Sequence, residues 1–420
     1  MTHGRVAPRD TRPGGATLRF SSDFPLHRHG VGRVGVTAAE DLPQGWRTPH
    51  DAANGDTMSS DPLHILVVLH DFALGGTERV AVRLASAWAE AGAHVTIFAG
   101  SDAGPLRSLA NAAVGIAVAQ PPIPRRRGSR ARLGRAARSF AGGGRFDAVF
   151  VPGNYHWPVA AAFGGSGIAV VAQVSAALDK PQRGRLRQWG FDRRMRWLLR
   201  DVAAVATLSD GARRQSDRIL RRPVATTIAL PALGDAVAPP APVPDDGTPI
   251  VMAAGRLVPE KGFARLIAAF AALPGRDARL VIVGDGPEAR ALRDLAGREG
   301  VADRVTFPGY VADIRPWLDE ARLFVLPSDF EGFPAVLVEA LAAGRPVVAT
   351  DCTPATQLLR DTPSAGAVVP IGAVDALTQA IAAMLDRAPP DPRALAASVA
   401  QHRIGPVARA YLDLFATVRR

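Results

Sequence analysis

Short runs of apolar, β-branched residues alternate with amphipathic stretches along this chain, twice over, and a proline-rich segment parts the two series. A run such as Ile-Leu-Val-Val-Leu at 65–69 has no polar face, so a strand built from it must be covered on both sides. In the first series the runs at 65–69, 95–99, 148–151, 169–174 and 202–208 read as strands. Gly75-Gly76 precede a helix opened by Thr77-Glu78, continued to about 91 and closed by Gly92, and Ser209-Asp210-Gly211 marks another helix start. In the second series strands are expected at 250–254, 279–283, 305–307, 323–327 and 347–349, with helices near 262–272, 287–299, 313–320, 334–343 and 373–385. A last amphipathic stretch, 406–418, repeats Val407, Ala410, Tyr411, Leu414 and Phe415 at helical spacing.

Alternating strands and helices predict an α/β fold of two doubly wound, parallel-sheet domains. The expected boundaries are a disordered leader at 1–60, an N-terminal domain at 61–235, a linker at 236–249, a C-terminal domain at 250–405 and a terminal helix at 406–420. The leader lacks sustained periodicity; a regulatory tail is the other reading. A cleft between two such domains is the default place for a ligand.

Charge narrows the partners. Of 420 residues, 50 are Lys or Arg, yet only Lys180 and Lys261 are lysines. The net charge of +11 is +1 over 1–60, +12 over 61–240 and −2 over 241–420, so an anionic partner meets the middle block. Arg125-Arg126-Arg127, Arg130, Arg132, Arg135 and Arg138 form one basic cluster there. Lys180 and seven arginines from Arg183 to Arg200 form another, interleaved with Leu186, Trp189, Phe191, Met195 and Trp197. That mixture suits an interfacial helix on anionic lipid, or else a solvated Arg-rich face. No nucleic-acid module accompanies it, so nucleic acid is not expected. Cys352 is the single cysteine, which excludes an intrachain disulfide and a cysteine metal cluster. The uncharged stretch 148–178 is long enough to span a membrane, but Pro152, Pro158 and the turn at 164–167 favour a helical turn and a buried strand. No secretory signal is visible in the first 30 residues, so a cytoplasmic location, peripheral on the inner membrane face, is expected.

Three sites in the second series carry chemistry. Gly255-Arg256-Leu257-Val258-Pro259-Glu260-Lys261-Gly262 follows a strand and precedes a helix, so Arg256 and Lys261 can face one diphosphate together. Gly284-Asp285-Gly286-Pro287 forms a tight turn, with or without ligand contact. In Glu331-Gly332-Phe333-Pro334-Ala335-Val336-Leu337-Val338-Glu339, Pro334 fits the first helical position and Gly344 the helix stop. Glu331 then lies at the helix mouth, able to meet sugar hydroxyls or a developing positive charge. Glu339 lies on an apolar stripe, where a carboxylate needs hydrogen-bond donors such as a ribose diol or the cation of a salt bridge.

These two glutamates with seven residues between them, the Gly-Arg-Leu segment with its Glu-Lys-Gly, and Gly-Gly-Thr-Glu-Arg at 75–79 resemble the retaining GT-B glycosyltransferases of family 4 over residues 63–420. The resemblance implies two Rossmann-like domains facing a cleft, a UDP- or GDP-linked sugar held mainly by the second, an acceptor held mainly by the first, and no metal cofactor. It implies that Arg256 and Lys261 hold the diphosphate, Glu339 the ribose and Glu331 the donor sugar, with backbone groups of Phe333, Ala335 and Val336 alongside. Gly75 and Gly76 match the loop near the phosphates, Gly284 the neighbouring turn, and Gly309-Tyr310 the loop that holds the base. His156 is the candidate for the histidine that contacts the donor sugar in many members. Gln173-Val174-Ser175 and Thr353-Pro354-Ala355-Thr356 depart from the family pattern.

The activity so implied is transfer of a sugar to a cell-surface glycan or lipid-linked acceptor. The competing readings are an epimerase or phosphorylase on the same fold, and a catalytically silent membrane-associated scaffold. A nicotinamide dehydrogenase is disfavoured, because no Gly-x-Gly-x-x-Gly follows the first strand.

Overall fold

Both sheets are parallel throughout, as strands without a polar face require. The computed structural model describes residues 61–419 except 177, 180–182, 237, 246 and 275–276. The expected leader and Lys180 therefore lie outside the described residues.

The N-terminal half holds β1 (His64–Leu69), β2 (His94–Ala99), β3 (Gly115–Val118), β4 (Ala148–Val151), β5 (Ala169–Val174), β6 (Ala204–Thr207) and β7 (Ala225–Thr227). They lie in the order β3-β2-β1-β4-β5-β6-β7. Its helices are α1 (Gly76–Glu90), α2 (Ser129–Ala141), α3 (Trp157–Ala160), α4 (Gly184–Leu198) and α5 (Asp210–Leu220). The C-terminal half holds β8 (Ile250–Ala254), β9 (Arg279–Val283), β10 (Val305–Gly309), β11 (Leu323–Leu326), β12 (Val347–Thr350) and β13 (Gly366–Val369), in the order β10-β9-β8-β11-β12-β13. Around it run α6 (Phe263–Ala271), α7 (Ala289–Arg298), α8 (Arg315–Glu320), α9 (Ala335–Ala342), α10 (Gln357–Asp361), α11 (Val374–Asp386) and α12 (Pro392–Ala397), followed by α13 (Ile404–Val418). The described residues of both halves belong to one compact unit.

Three strands were not expected. β3, β7 and β13 run along sheet edges and are only partly buried; β7 is a short Ala-Thr-Thr, while β3 and β13 are apolar but each begins with glycine, which weakens a strand reading. The expected strand at 202–208 shortens to β6. Pro334 is the residue before α9 rather than its first helical residue, with an extended ψ of 114°. Gly344, at φ 78°, ends α9 as expected: its N–H donates to Leu341 O and that of Arg345 to Ala340 O. The uncharged stretch 148–178 contains β4, the short α3 and β5. No described helix is long and apolar enough to cross a membrane.

The proline-rich connection is anchored instead of free. Prolines offer carbonyls but no N–H groups, and three arginines of the C-terminal half take those carbonyls. Arg315 donates to Ala238 O and Pro239 O, Arg322 to Pro244 O, and Arg345 to Ala241 O and Pro242 O. Arg345 is fully buried and its pKa is lowered by that burial.

Helix α13 returns to the N-terminal half. Val407, Ala408, Tyr411 and Phe415 join a core that includes β1, Trp88 and Phe150. Trp88 Nε1 donates to Ala408 O at 3.1 Å, and Gln173 Nε2 donates to the Tyr411 hydroxyl at 3.0 Å. Trp88 meets Phe150, Tyr411 and Phe415 edge-on, with centroids 5.1–5.6 Å apart. Phe415→Ala, which empties a fully buried site, is expected to cost ~3–5 kcal/mol in urea unfolding. Arg409→Ala, on the exposed face of the same helix, should change stability by less than ~0.5 kcal/mol.

Candidate active site

Each sheet reverses its strand order once, between β1 and β4 and between β8 and β11. The loops leaving the C-terminal ends of those strands diverge there and leave a crevice. In the C-terminal half the loops are 255–262 after β8 and 327–334 after β11. Gly262 adopts the left-handed conformation at φ 69°, and a Cβ there would collide with Pro327 O. Glycine thus lets the two loops touch. Asp329 N–H donates to Glu260 O at 2.8 Å, and Arg265 pairs with Asp329.

That contact delivers Lys261 to Glu331. The ammonium donates to Glu331 Oε1 at 2.5 Å, and the Ser328 hydroxyl donates to the same oxygen at 2.9 Å. Glu331 N–H is fixed on Cys352 O at 3.1 Å. The lysine and glutamate side chains are 22% and 12% exposed, so the pair is shielded yet reachable. Arg256 is exposed beside it and only loosely paired with Glu260, at 3.7 Å.

The two halves enclose a cleft of about 1060 Å³. The C-terminal wall includes Arg256, Lys261, Tyr310, Glu331, Gly332, Phe333, Pro334, Ala335, Val336 and Glu339. The N-terminal wall includes Gly75, Gly76, Thr77, Arg79, Arg83 and Ser175. Glu339, on α9, forms no ion pair within 4.0 Å among the described residues. Burial raises its pKa, Arg83 and Arg79 on α1 act against the rise, and Asp313 adds to it. Arg83 is itself held by Ala232 O at 3.2 Å.

One expected site residue lies elsewhere. His156 is fully buried beneath the loops after β1 and β4. Its Nδ1 donates to Pro152 O at 2.8 Å and its Nε2 accepts from His70 N–H at 3.2 Å, so both ring nitrogens are engaged. Burial pushes its pKa down to about 4. It is a neutral core histidine and does not line the cleft. Gly284 lies between the lining residues Val283 and Asp285. A Cβ at Gly284 would collide with Gly255 O, so glycine is needed there for backbone packing. Gly309 accepts the Gly284 N–H at 2.9 Å on its carbonyl and precedes Tyr310, an exposed residue of the lining.

Arg83 has no place in the sequence reading, Arg79 enters it only as the end of the 75–79 motif, and Ser175 only within Gln173-Val174-Ser175, a departure from the family pattern. Arg79 and Arg83 stand four apart on the helix that Gly75-Gly76 open, a spacing that places both on one face. Among the described residues no three His, Cys, Asp or Glu side chains gather as a metal site.

Comparison with known proteins places each half. Residues 75–231 match the glycosyl transferase 4-like domain and 248–387 the glycosyl transferases group 1 model. The chain is 34% identical over 206 residues to the alpha-D-kanosaminyltransferase of Streptomyces kanamyceticus, covering 46% of this chain and 53% of that protein. It is 41% identical over 133 residues to the lipopolysaccharide core biosynthesis glycosyltransferase LpsE of Rhizobium meliloti, covering 32% and 38%. The chain thus spans about half or less of the length of these relatives. The fold is similar to that of Anabaena HepE solved with UDP and glucose, with a TM-score of 0.68 at 19% identity over 84% of this chain and 100% of that one. A Rickettsia africae glycosyltransferase superposes with a TM-score of 0.67 at 15% identity, over 85% of this chain and 98% of that one. With both halves matched by glycosyltransferase models and two Rossmann-like sheets facing one cleft, the chain belongs to family 4 of the GT-B glycosyltransferases.

Proposed function

We propose that the protein transfers a sugar from a UDP- or GDP-linked donor to a hydroxyl of a glycan or lipid-linked acceptor, with retention at the anomeric carbon. The observation that carries this reading is the Lys261–Glu331 pair at the β8/β11 crevice, with Arg256 beside it and Glu339 further along the same wall. Relatives named as glycosyltransferases and a structural neighbour solved with UDP and glucose support it.

In this reading the ribose hydroxyls donate to the Glu339 carboxylate. The diphosphate lies among Arg256, Lys261 and backbone N–H groups at the start of α9 and in the Gly75-Gly76 loop. As the sugar–phosphate bond breaks, negative charge grows on the leaving diphosphate, and the two cations stabilise it in a cleft that excludes much of the water. Positive charge grows on the sugar, and Glu331 lies within reach of it while holding Lys261 in place. The acceptor hydroxyl attacks from the face the diphosphate leaves, and its proton passes to a departing phosphate oxygen. Arg256 and Lys261 take the part that a metal ion plays in other phosphate sites.

Lys261→Ala should lower kcat by about 10²–10³-fold, the loss typical of one transition-state charge contact, in a radiolabelled-donor transfer assay. Unchanged turnover would refute the role. EDTA should leave wild-type turnover unchanged in the same assay. Calorimetry should show UDP or GDP binding that Glu339→Ala abolishes. Because burial raises the Glu339 pKa, wild-type nucleotide affinity should fall as the pH drops and the carboxylate protonates, while Glu339→Gln stays weak and flat with pH.

The acceptor side of the reading is an anionic membrane surface met through α4. Leu186, Trp189 and Trp197 are 85%, 63% and 57% exposed and share one stripe with Arg193 and Arg200. The two arginines lie over the Trp189 and Trp197 rings. Apolar rings amid cations match the chemistry of an anionic lipid interface, whose surface charge attracts Arg while the headgroup region takes the rings. The protein should sediment with vesicles containing phosphatidylglycerol and not with pure phosphatidylcholine. A Leu186→Ser/Trp189→Ser variant should lose that binding while retaining its nucleotide affinity.

A further inference from the structure

Arg125, the first member of the basic cluster at 125–138, is bound to two carboxylates of the opposite charge. It lies in the connection between β3 and α2, and its guanidinium reaches across to the chain that leaves β1. Its Nε and one terminal nitrogen donate to Asp71 at 2.5 and 2.7 Å, and the same terminal nitrogen donates to Glu78 Oε1 at 2.6 Å. Asp71 follows β1 and also accepts the Ala73 N–H at 3.1 Å, while Glu78 lies in the first turn of α1. Arg125 thus joins both ends of the segment that leads into Gly75-Gly76. From the loop after β4, the Tyr155 ring packs against Arg125 at 5.0 Å and against Arg130 at 4.7 Å.

The place of Glu78 gives this triad its interest. A Cβ at Gly75 would collide with Glu78 Oε2, so the carboxylate rests against the backbone of the glycine loop. Gly75, Gly76 and Thr77 line the cleft. A carboxylate in that position competes for the positive end of α1 with any anion the loop is to hold, and it repels that anion. The Asp71 and Glu78 side chains are only 14% and 8% exposed, so solvent screens their charge weakly. One guanidinium against two carboxylates leaves the triad at −1; without the guanidinium it would stand at −2 behind the loop.

We propose that Arg125 is a positioning residue for the diphosphate of the donor, acting through Asp71 and Glu78: it offsets their charge behind the Gly75-Gly76 loop, so that the loop can accept an anion. The inference rests on the nucleotide-sugar reading and extends the electrostatics of the diphosphate site to the connection after β3. Arg125 does not touch the ligand; it removes a repulsion that the first turn of α1 would otherwise impose.

Calorimetry of the full chain with UDP, and in parallel with GDP, tests this. The triad stands at −1 in the wild type and in Arg125→Ala/Glu78→Gln, at −2 in Arg125→Ala and at zero in Glu78→Gln. Affinity for the diphosphate should follow that charge. Arg125→Ala should bind about tenfold more weakly, the double variant should return to within about twofold of the wild type, and Glu78→Gln should bind at least as tightly as the wild type. The loss in Arg125→Ala should also shrink in about 1 M sodium chloride, where the screening length falls to about 3 Å. A bridge that only holds the loop in shape gives the opposite order: Glu78→Gln weaker than the wild type and the double variant no better than Arg125→Ala. That order overturns the proposal, as does unchanged affinity in Arg125→Ala. Should Arg125→Ala fail to fold, Glu78→Gln and the double variant carry the same test. A wild type that binds neither nucleotide overturns the nucleotide-sugar reading itself, and the role of Arg125 with it.

Discussion

An ammonium and a carboxylate from the two sides of one strand-order reversal meet in the C-terminal half, and the cleft is arranged around that contact. Lys261 comes from the loop after β8 and Glu331 from the loop after β11, seventy residues later in the chain. Neither loop alone makes the site. Gly262, whose missing Cβ lets the loops touch, and Ser328, which shares the Glu331 oxygen, set the geometry. A partly buried pair of this kind costs desolvation, and removing one partner leaves the other uncompensated. The pair thus serves the site better than it serves stability, and it keeps a cation poised where an anion is to arrive.

The charge of the two halves is divided accordingly. The N-terminal half carries the excess of Arg, and some of it points into the cleft as Arg79 and Arg83. The C-terminal half has a near-neutral balance, yet its cations are placed singly at structural and functional points. Arg315, Arg322 and Arg345 hold proline-rich backbone, while Arg256 and Lys261 face the cleft. An arginine excess by itself says little about partners. Where each guanidinium finds its acceptors says more.

The inner strands were legible because strands covered on both faces must be apolar throughout. The edge strands β3, β7 and β13 were not: β7 is three residues with two threonines, and the apolar runs of β3 and β13 open on glycine. On the C-terminal wall Arg256, Lys261 and Glu331 come together because each lies on a loop that leaves its own strand, and Glu339 joins them from within α9, which follows the last of those loops. His156 sits near the right strand end, but sequence does not reveal which side of a loop faces inward. Ser175 meets Gly153, Asn154 and Gly332 from other parts of the chain, and no local pattern records that they converge.

The chain crosses between the halves twice, near residue 233 and again near residue 403, and the two crossings are joined. Leu233 N–H donates to His402 O and Ile404 N–H to Leu233 O, each at 3.0 Å, while His402 Nδ1 donates to Leu230 O at 2.9 Å. The arginine-held prolines travel with the C-terminal half, and α13 travels with the N-terminal half. The two crossings are thereby tied to each other at Leu233, so the chain's first passage between the halves and its return cannot shift independently.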